Sequence, residues 1–210
     1  SHQLVLSASI LKALKNENDQ DFNLNEFWKH SLGVAIASET VAKKIRHPMP
    51  SDLFTSGLIH DMGKVAHYNL SPETFLQVAE VARDQNIRFL DAEMQLEMPR
   101  HTDVGFALAE KWKLPVTLQA VVRHHHKKDP SARASLSVDL NQSVDVVLIS
   151  NLFIHALKFG HSGHSVIEGA PKDILARLTI SEDRDLKPLL NEIKQNLDKA
   201  SDFLRVLNGE

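Results

Sequence analysis

The apolar residues of this chain recur at helical spacing almost from end to end, and no stretch alternates cleanly between apolar and polar residues. Leu4, Leu6, Ile10, Leu11 and Leu14 fall on one helical face over residues 3–16. Phe27, Leu32, Val34, Ile36 and Val41 are core candidates on a longer helix. A strand shows its faces with a period of two, so a persistent 3.6-residue period constrains the chain to an all-α fold.

Punctuation divides the pattern. Asn23 reads as the N-cap of a helix that ends near Ile45, where His47-Pro48 stops it. Ser51 begins the next helix, which carries Leu53, Phe54, Leu58, Ile59 and Met62, with Gly63 near its end. Ser71-Pro72-Glu73-Thr74 combines a cap, a first-turn proline and an acidic first turn, and predicts a helix to about Asp84. Shorter helices are expected over 89–97 and 102–112, and from Pro115 into a histidine run. Residues 127–141 read as a polar loop, 144–159 as helix, 161–164 as loop, 171–180 as a short helix and 182–207 as a long amphipathic one. The expectation is a bundle of roughly eight to ten helices without internal repeat or low-complexity segment.

Twelve histidines and no cysteine decide the available ligands. A transition-metal site here must be imidazole plus carboxylate, which suits iron, manganese, zinc, nickel or cobalt. The lack of thiols fits a reducing cytoplasm, the expected location. A formal net charge of −3 predicts no nucleic-acid partner. No apolar run approaches the roughly 20 residues of a membrane span, so no membrane partner is expected. The 210 residues suffice for one sizeable core, or a large domain plus an appendage.

Five histidines and one aspartate stand out by their order: His30, His60-Asp61, His101, and His125-His126. A histidine beside an aspartate can reach one metal ion, or one ion each of a close pair. Lys64, three residues after Asp61, shares its helical face and can neutralise a bound anion. Glu26, four before His30, shares a face with that histidine. Bundles build metal sites by aiming such side chains inward from facing helices. An aspartate can bridge two ions, and such a pair clamps both oxygens of an in-line displacement at phosphorus.

Each element has a plainer explanation. A lone His-Asp pair is common, a lone His30 is more often a satisfied core histidine, and Glu26 is more often a solvated charge. His124 reads as a surface residue beside the pair, and His47, His67, His155, His161 and His164 as surface or loop residues. Trp112 and Leu114-Pro115 read as core and turn. Arg123, Lys127 and Lys128, with Lys64 and Arg100, form either a positive rim for a phosphate-bearing ligand or a solvated basic loop.

Five blocks in order carry a family resemblance: Trp28-Lys29-His30-Ser31-Leu32, Gly57-Leu58-Ile59-His60-Asp61-Met62-Gly63-Lys64, His101-Thr102-Asp103-Val104-Gly105, Lys111-Trp112-Lys113-Leu114-Pro115 and Arg123-His124-His125-His126. Spread over roughly residues 4–160, they resemble the HDOD branch (HD-related output domain) of the HD superfamily of metal-dependent phosphohydrolases. The resemblance implies a multi-helix bundle of the HD-domain type in a bacterial signalling protein. It implies one or two divalent ions held by Glu26, His30, His60, Asp61, His101, His125 and His126, with Asp61 and Lys64 in catalytic roles. The family's later aspartate aligns with Asn151; Asp145, six residues earlier, faces another direction on the helix. The GYP motif of the HD-GYP branch is absent from Lys127-Lys128-Asp129-Pro130-Ser131.

HDOD proteins carry an N-terminal helical subdomain that the resemblance does not reach here. The expected organisation is an HDOD-type domain over 1–165 and a C-terminal helical extension packed on it over 166–210. Two functions follow from the resemblance. One is a metal-dependent phosphohydrolase acting on a nucleotide or another phosphoester. The other is a catalytically silent signalling module that keeps a vestigial metal site and works through a protein partner. The oligomeric state is not legible.

Overall fold

Asn23 caps the first helix through its side chain, whose Oδ1 accepts the Glu26 amide at 3.1 Å. From there a computed structural model describes the backbone of residues 22–208 and the side chains of residues 22–201. The helix expected over 3–16 lies outside the described residues. The elements are α1 (Leu24–Lys44), α2 (Pro50–Ile59), α3 (Met62–Leu70), α4 (Pro72–Asp84), α5 (Phe89–Gln95), α6 (His101–Lys111), α7 (Val116–His124), α8 (Val138–Leu157), α9 (Lys172–Arg177) and α10 (Leu186–Asn208). A single 3₁₀ turn, Pro130–Ala132, interrupts the loop before α8, and no strand occurs among the described residues.

The expected helix from Ser51 to Gly63 is two helices. The chain leaves α2 after Ile59 and turns at Asp61 (φ −99°, ψ 17°), so Gly63 opens α3 instead of closing α2. The apolar period did not register this break because Leu58, Ile59 and Met62 all contribute to one apolar cluster. The helix α8 also starts earlier than the apolar period predicts, at Val138. Ser137 caps it by accepting the Leu140 amide at 3.3 Å, and its first turns are polar, which removed the periodic signal.

The helix α8 corrects a second expectation. By length and composition, with a mean hydropathy of 1.3, it is apolar enough to cross a membrane. Most of it, 61% of the window, is buried inside the fold, where it packs against α1, α2, α7 and α9. Val34, Ala37 and Val41 of α1 and Val146, Ile149 and Phe153 of α8 form the main apolar cluster. Ile174, Leu175 and Leu178 in and after α9, with Leu189, Ile193 and Leu197 of α10, bury into that same cluster. A second cluster is aromatic: Phe22, Phe27, Tyr68, Phe75 and Phe89.

Two glycines set the spacing between helices that carry the chemistry. A Cβ on Gly57 would stand 2.8 Å from the Val34 carbonyl oxygen and 2.9 Å from Ala35 Cα, so α1 and α2 meet backbone to backbone. A Cβ on Gly63 would collide with the His101 carbonyl at 1.8 Å. That close approach brings the start of α3 against the start of α6, and so Asp61 beside His101.

Candidate metal centre

The break between α2 and α3 gives His60 and Asp61 a common target. In a continuous helix neighbouring side chains diverge by about 100°. Here His60 ends one helix and Asp61 precedes the next, and His60 Nε2 lies 3.3 Å from Asp61 Oδ2. Both are buried, as are His30, His101 and His125; His126 is partly exposed. Two overlapping groups of donors result: Asp61 with His101, His125 and His126, and Asp61 with His30 and His60. In each, the candidate ligand atoms all lie within 4.8 Å of one another.

Hydrogen bonds on the far side of the rings fix which nitrogen faces inward. His60 Nδ1 lies 2.7 Å from the Gly57 carbonyl, and His125 Nδ1 lies 3.1 Å from the carbonyls of Val121 and Val122. A carbonyl only accepts, so each Nδ1 carries the proton and each Nε2 presents a lone pair. His101 Nδ1 lies 2.8 Å from Glu93 Oε2, and the other Glu93 oxygen accepts the His101 amide at 2.9 Å. A carboxylate behind an imidazole orients the ring and raises its basicity towards a metal.

The inward atoms converge on Asp61. His101 Nε2 and His125 Nε2 are each 3.3 Å from Asp61 Oδ1, and His101 Nε2 is 3.0 Å from His126 Nε2. Asp61 Oδ1, His60 Nε2 and His125 Nε2 are buried without a hydrogen-bond partner. Lone pairs pointed at a carboxylate repel, and unsatisfied buried acceptors are costly. A cation among them removes both penalties. Donors about 2.1 Å from one ion stand about 3.0–3.4 Å apart in octahedral or tetrahedral arrangement, so the spacing fits a divalent metal.

Protonation follows the same arrangement. Burial acts to raise the Asp61 carboxyl, but the Lys64 ammonium and His60 hold it well below the usual carboxylate range. Burial takes His125 down to about 4 and holds His126 well below an ordinary imidazole. Burial also opposes protonation of His101, yet Glu93 and Asp61 together raise it. His101 is therefore the position where a proton would compete with a bound cation.

The other side of Asp61 is built differently. Lys64 Nζ donates to Asp61 Oδ2 at 2.7 Å and to the Ser162 carbonyl at 2.9 Å, over the Phe89 ring at 5.0 Å. It is fully buried, so its expected face is right, but it meets Asp61 itself. His30 Nε2 stands 2.9 Å from Asn151 Oδ1, which puts the aligned asparagine at the centre's edge. Burial, with His155 and His60 close by, keeps His30 far below its ordinary value.

The structure does not bring Glu26 to the cluster. Its carboxylate faces solvent and pairs with Lys29 at 3.7 Å, because the helical turn that aims His30 inward leaves position 26 on the rim. Other placements also differ from expectation. His124 is buried, 3% exposed, and His67 and His164 are buried too. His155 stacks between His30 (centroids 4.6 Å apart) and His164 (4.3 Å), extending the imidazole cluster outward. Trp112 is 55% exposed and not core. Asp145 does face away, towards Arg133 and Arg177. Of the basic residues, Lys64 and Arg133 are buried. Burial, and after it the charges of Arg123 and Arg100, lower the pKa of the Lys127 ammonium against the opposing charge of Asp103, with which Arg100 pairs at 2.7 Å.

The HDOD domain model matches residues 1–128 of this sequence. The chain belongs to the HDOD family. An HDOD domain protein of unknown function from Geobacter sulfurreducens shares its fold at a TM-score of 0.76 and 24% identity, over 94% of this chain and 67% of that one. A "Putative phosphohydrolase" from Shewanella amazonensis SB2B superposes at a TM-score of 0.67 and 17% identity, over 94% of this chain and 70% of that one. An uncharacterized protein of Treponema pallidum (strain Nichols) is 22% identical over 199 residues, 93% of this HDOD chain. The chain spans 36% of that relative's length.

Sequence reasoning did not find Glu93, Arg133 or the His155–His164 extension. Glu93 carries no signal of its own: it is one acidic residue eight positions before His101, and only the fold turns α5 so that it backs that ring.

Proposed function

We propose that this HDOD chain is a metal-binding signal-transduction module that holds a divalent ion at Asp61, His101, His125 and His126 and takes a phosphate-bearing small molecule there. One observation carries the reading: the Nε2 atoms of His101 and His125, turned inward by outer hydrogen bonds, each stand 3.3 Å from Asp61 Oδ1, a buried carboxylate oxygen that has no hydrogen-bond partner. The ion would supply Lewis-acid stabilisation of charge on a phosphoryl oxygen. Asp61 and the three histidines would hold it, and Glu93 would orient His101. The edge formed by Arg100, Arg123 and Lys127 beside the partly exposed His126 would attract the phosphate. Phosphoester hydrolysis of the HD type is the enzymatic form of this proposal, and the Shewanella neighbour's description accords with it.

A second form, a catalytically silent module that signals through a protein partner, is favoured by Lys64 and Asn151. A buried ammonium and a neutral amide occupy the side where a two-ion site would place its other dication. Elemental analysis of protein purified without chelator tests the metal: about one ion per chain is expected, and under a few tenths would overturn the proposal. Hydrolysis of an aryl phosphodiester by the loaded protein then separates the two forms.

A further inference from the structure

Of the two histidines that follow α7, His125 still donates its amide to the Val121 carbonyl at 3.0 Å, whereas His126 lies past the helical hydrogen bonding. The helix stops at His124, and the Lys127 amide makes one turn bond to the His124 carbonyl at 2.8 Å. The backbone that carries His126 onward is therefore not held by the helix. It is held by two guanidinium groups. Arg133 Nε and Nη2 both donate to the Lys127 carbonyl, at 2.9 and 2.7 Å. Arg177 Nη2 donates to the Lys128 carbonyl at 3.0 Å. Both arginines are locked by one carboxylate. Asp145 Oδ1 accepts from Arg133 Nη2 at 2.6 Å and from Arg177 Nη2 at 3.0 Å, and Asp145 Oδ2 accepts from Arg177 Nε at 2.7 Å.

We infer that Arg133, Asp145 and Arg177 are positioning residues that hold the His126 limb of the metal centre in register. The inference rests on the proposed metal site and goes beyond it, since none of the three faces the ion. The argument is one of geometry and charge. Arg133 is 0% exposed and Asp145 1%, so neither is a solvated surface charge. Two guanidinium groups share the buried Asp145 carboxylate, Asp173 pairs with Arg177 from the exposed side, and the carbonyls of Lys127 and Lys128 accept N–H donors that these carboxylates leave over. Those carbonyls belong to the two residues directly after His126, whose Nε2 stands 3.0 Å from His101 Nε2. A metal site tolerates displacements of only about 0.5 Å in its donors. The clamp also ties the limb to two distant elements, because Asp145 lies on α8 and Arg177 ends α9.

The test is a titration of the full chain with Co(II), followed by ligand-field absorption and calorimetry, beside thermal unfolding of each metal-free protein. The chosen variant is Arg177→Gln, because this arginine is 32% exposed and its loss spares the buried Arg133–Asp145 pair. Co(II) affinity should fall about tenfold, with shifted absorption bands, at temperatures where the metal-free variant is fully folded. Arg177→Lys should restore only part of the affinity, since a point charge cannot bridge a carboxylate and a carbonyl as the fork does. Asp173→Asn removes the other partner of Arg177, an exposed carboxylate 2.9 Å away, and should leave Co(II) binding unchanged. A wild-type protein that takes up no Co(II) overturns the metal site and the clamp together. Wild-type binding with an equal affinity and spectrum in Arg177→Gln overturns the clamp alone, as does an equal loss in Asp173→Asn.

Discussion

On one side of Asp61 three imidazole nitrogens stand at 3.0–3.3 Å spacing, one on a ring backed by Glu93 and another on the segment after α7. On the other side the same carboxylate meets a lysine ammonium at 2.7 Å, and His30 meets a neutral amide at 2.9 Å. Residue types alone would rank the two sides as equals. What separates them is the charge already in place: the first side lacks a cation, while the second contains one. A second dication beside Lys64 would face a unit positive charge in a low-dielectric setting.

The largest effect should come from the shared residue. Asp61→Ala removes the only carboxylate common to both sides and leaves Lys64 buried without its counter-charge. Metal binding should be lost, and denaturant unfolding should show a cost of about 3–5 kcal/mol. Asp61→Ala combined with Lys64→Met should regain most of that stability without regaining the metal. Retention of metal by either protein would contradict the assignment.

Next comes a direct contrast between the sides. His126→Ala should weaken the first equivalent of Co(II) about 100-fold, or about 2.7 kcal/mol. His30→Ala should change it less than threefold. Equal losses would put the ion in the other half, and the comparison would fail.

The third prediction sharpens the role of the amide. Asn151→Asp places an anionic oxygen against His30 and should raise affinity for a second equivalent of Mn(II) about tenfold, or 1.4 kcal/mol, in a calorimetric titration. Unchanged affinity would mean that Lys64, not Asn151, keeps that side closed.

The smallest effect is in the pH dependence of the metal-free protein, where the sides have opposite signs. Burial holds His155 at about 4 and His164 at about 2, against an ordinary 6.5. Their unfolded forms take up protons first, so the stability they contribute is present above pH 6.5 and is lost as pH falls below it. Each should contribute a loss of about 0.7 kcal/mol between pH 7 and 6. His101, on the first side, is raised by Glu93 and Asp61 against the effect of burial. Its contribution is present below pH 6.5 and is lost as pH rises through the raised value. Unfolding measured across this range should flatten on its acid side in His164→Gln; an unaltered profile would contradict the buried neutral state of His164.

The sequence by itself determined the helical class, most of the element boundaries and the order of histidines and aspartate that the fold then brings together. Those signals are local: a cap at Asn23, a start at Ser71-Pro72, the order of histidines around His60-Asp61. It also picked out Asn151 as the position where the family's aspartate is missing, and the structure puts that amide against His30. The sequence did not determine which donors lack a cation. Glu26 has the right spacing on α1 but the wrong height on the rim. Lys64 has the right face, yet it closes on Asp61 instead of facing a ligand. His67, His124 and His164 read as surface or loop residues, yet neighbouring segments bury them. Only the tertiary structure decided these, because burial, charge pairing and ring orientation arise where distant segments meet: Lys64 with Ser162, Glu93 with His101, Arg133 and Arg177 with Asp145. A helical period records which face turns inward, but not what stands opposite it.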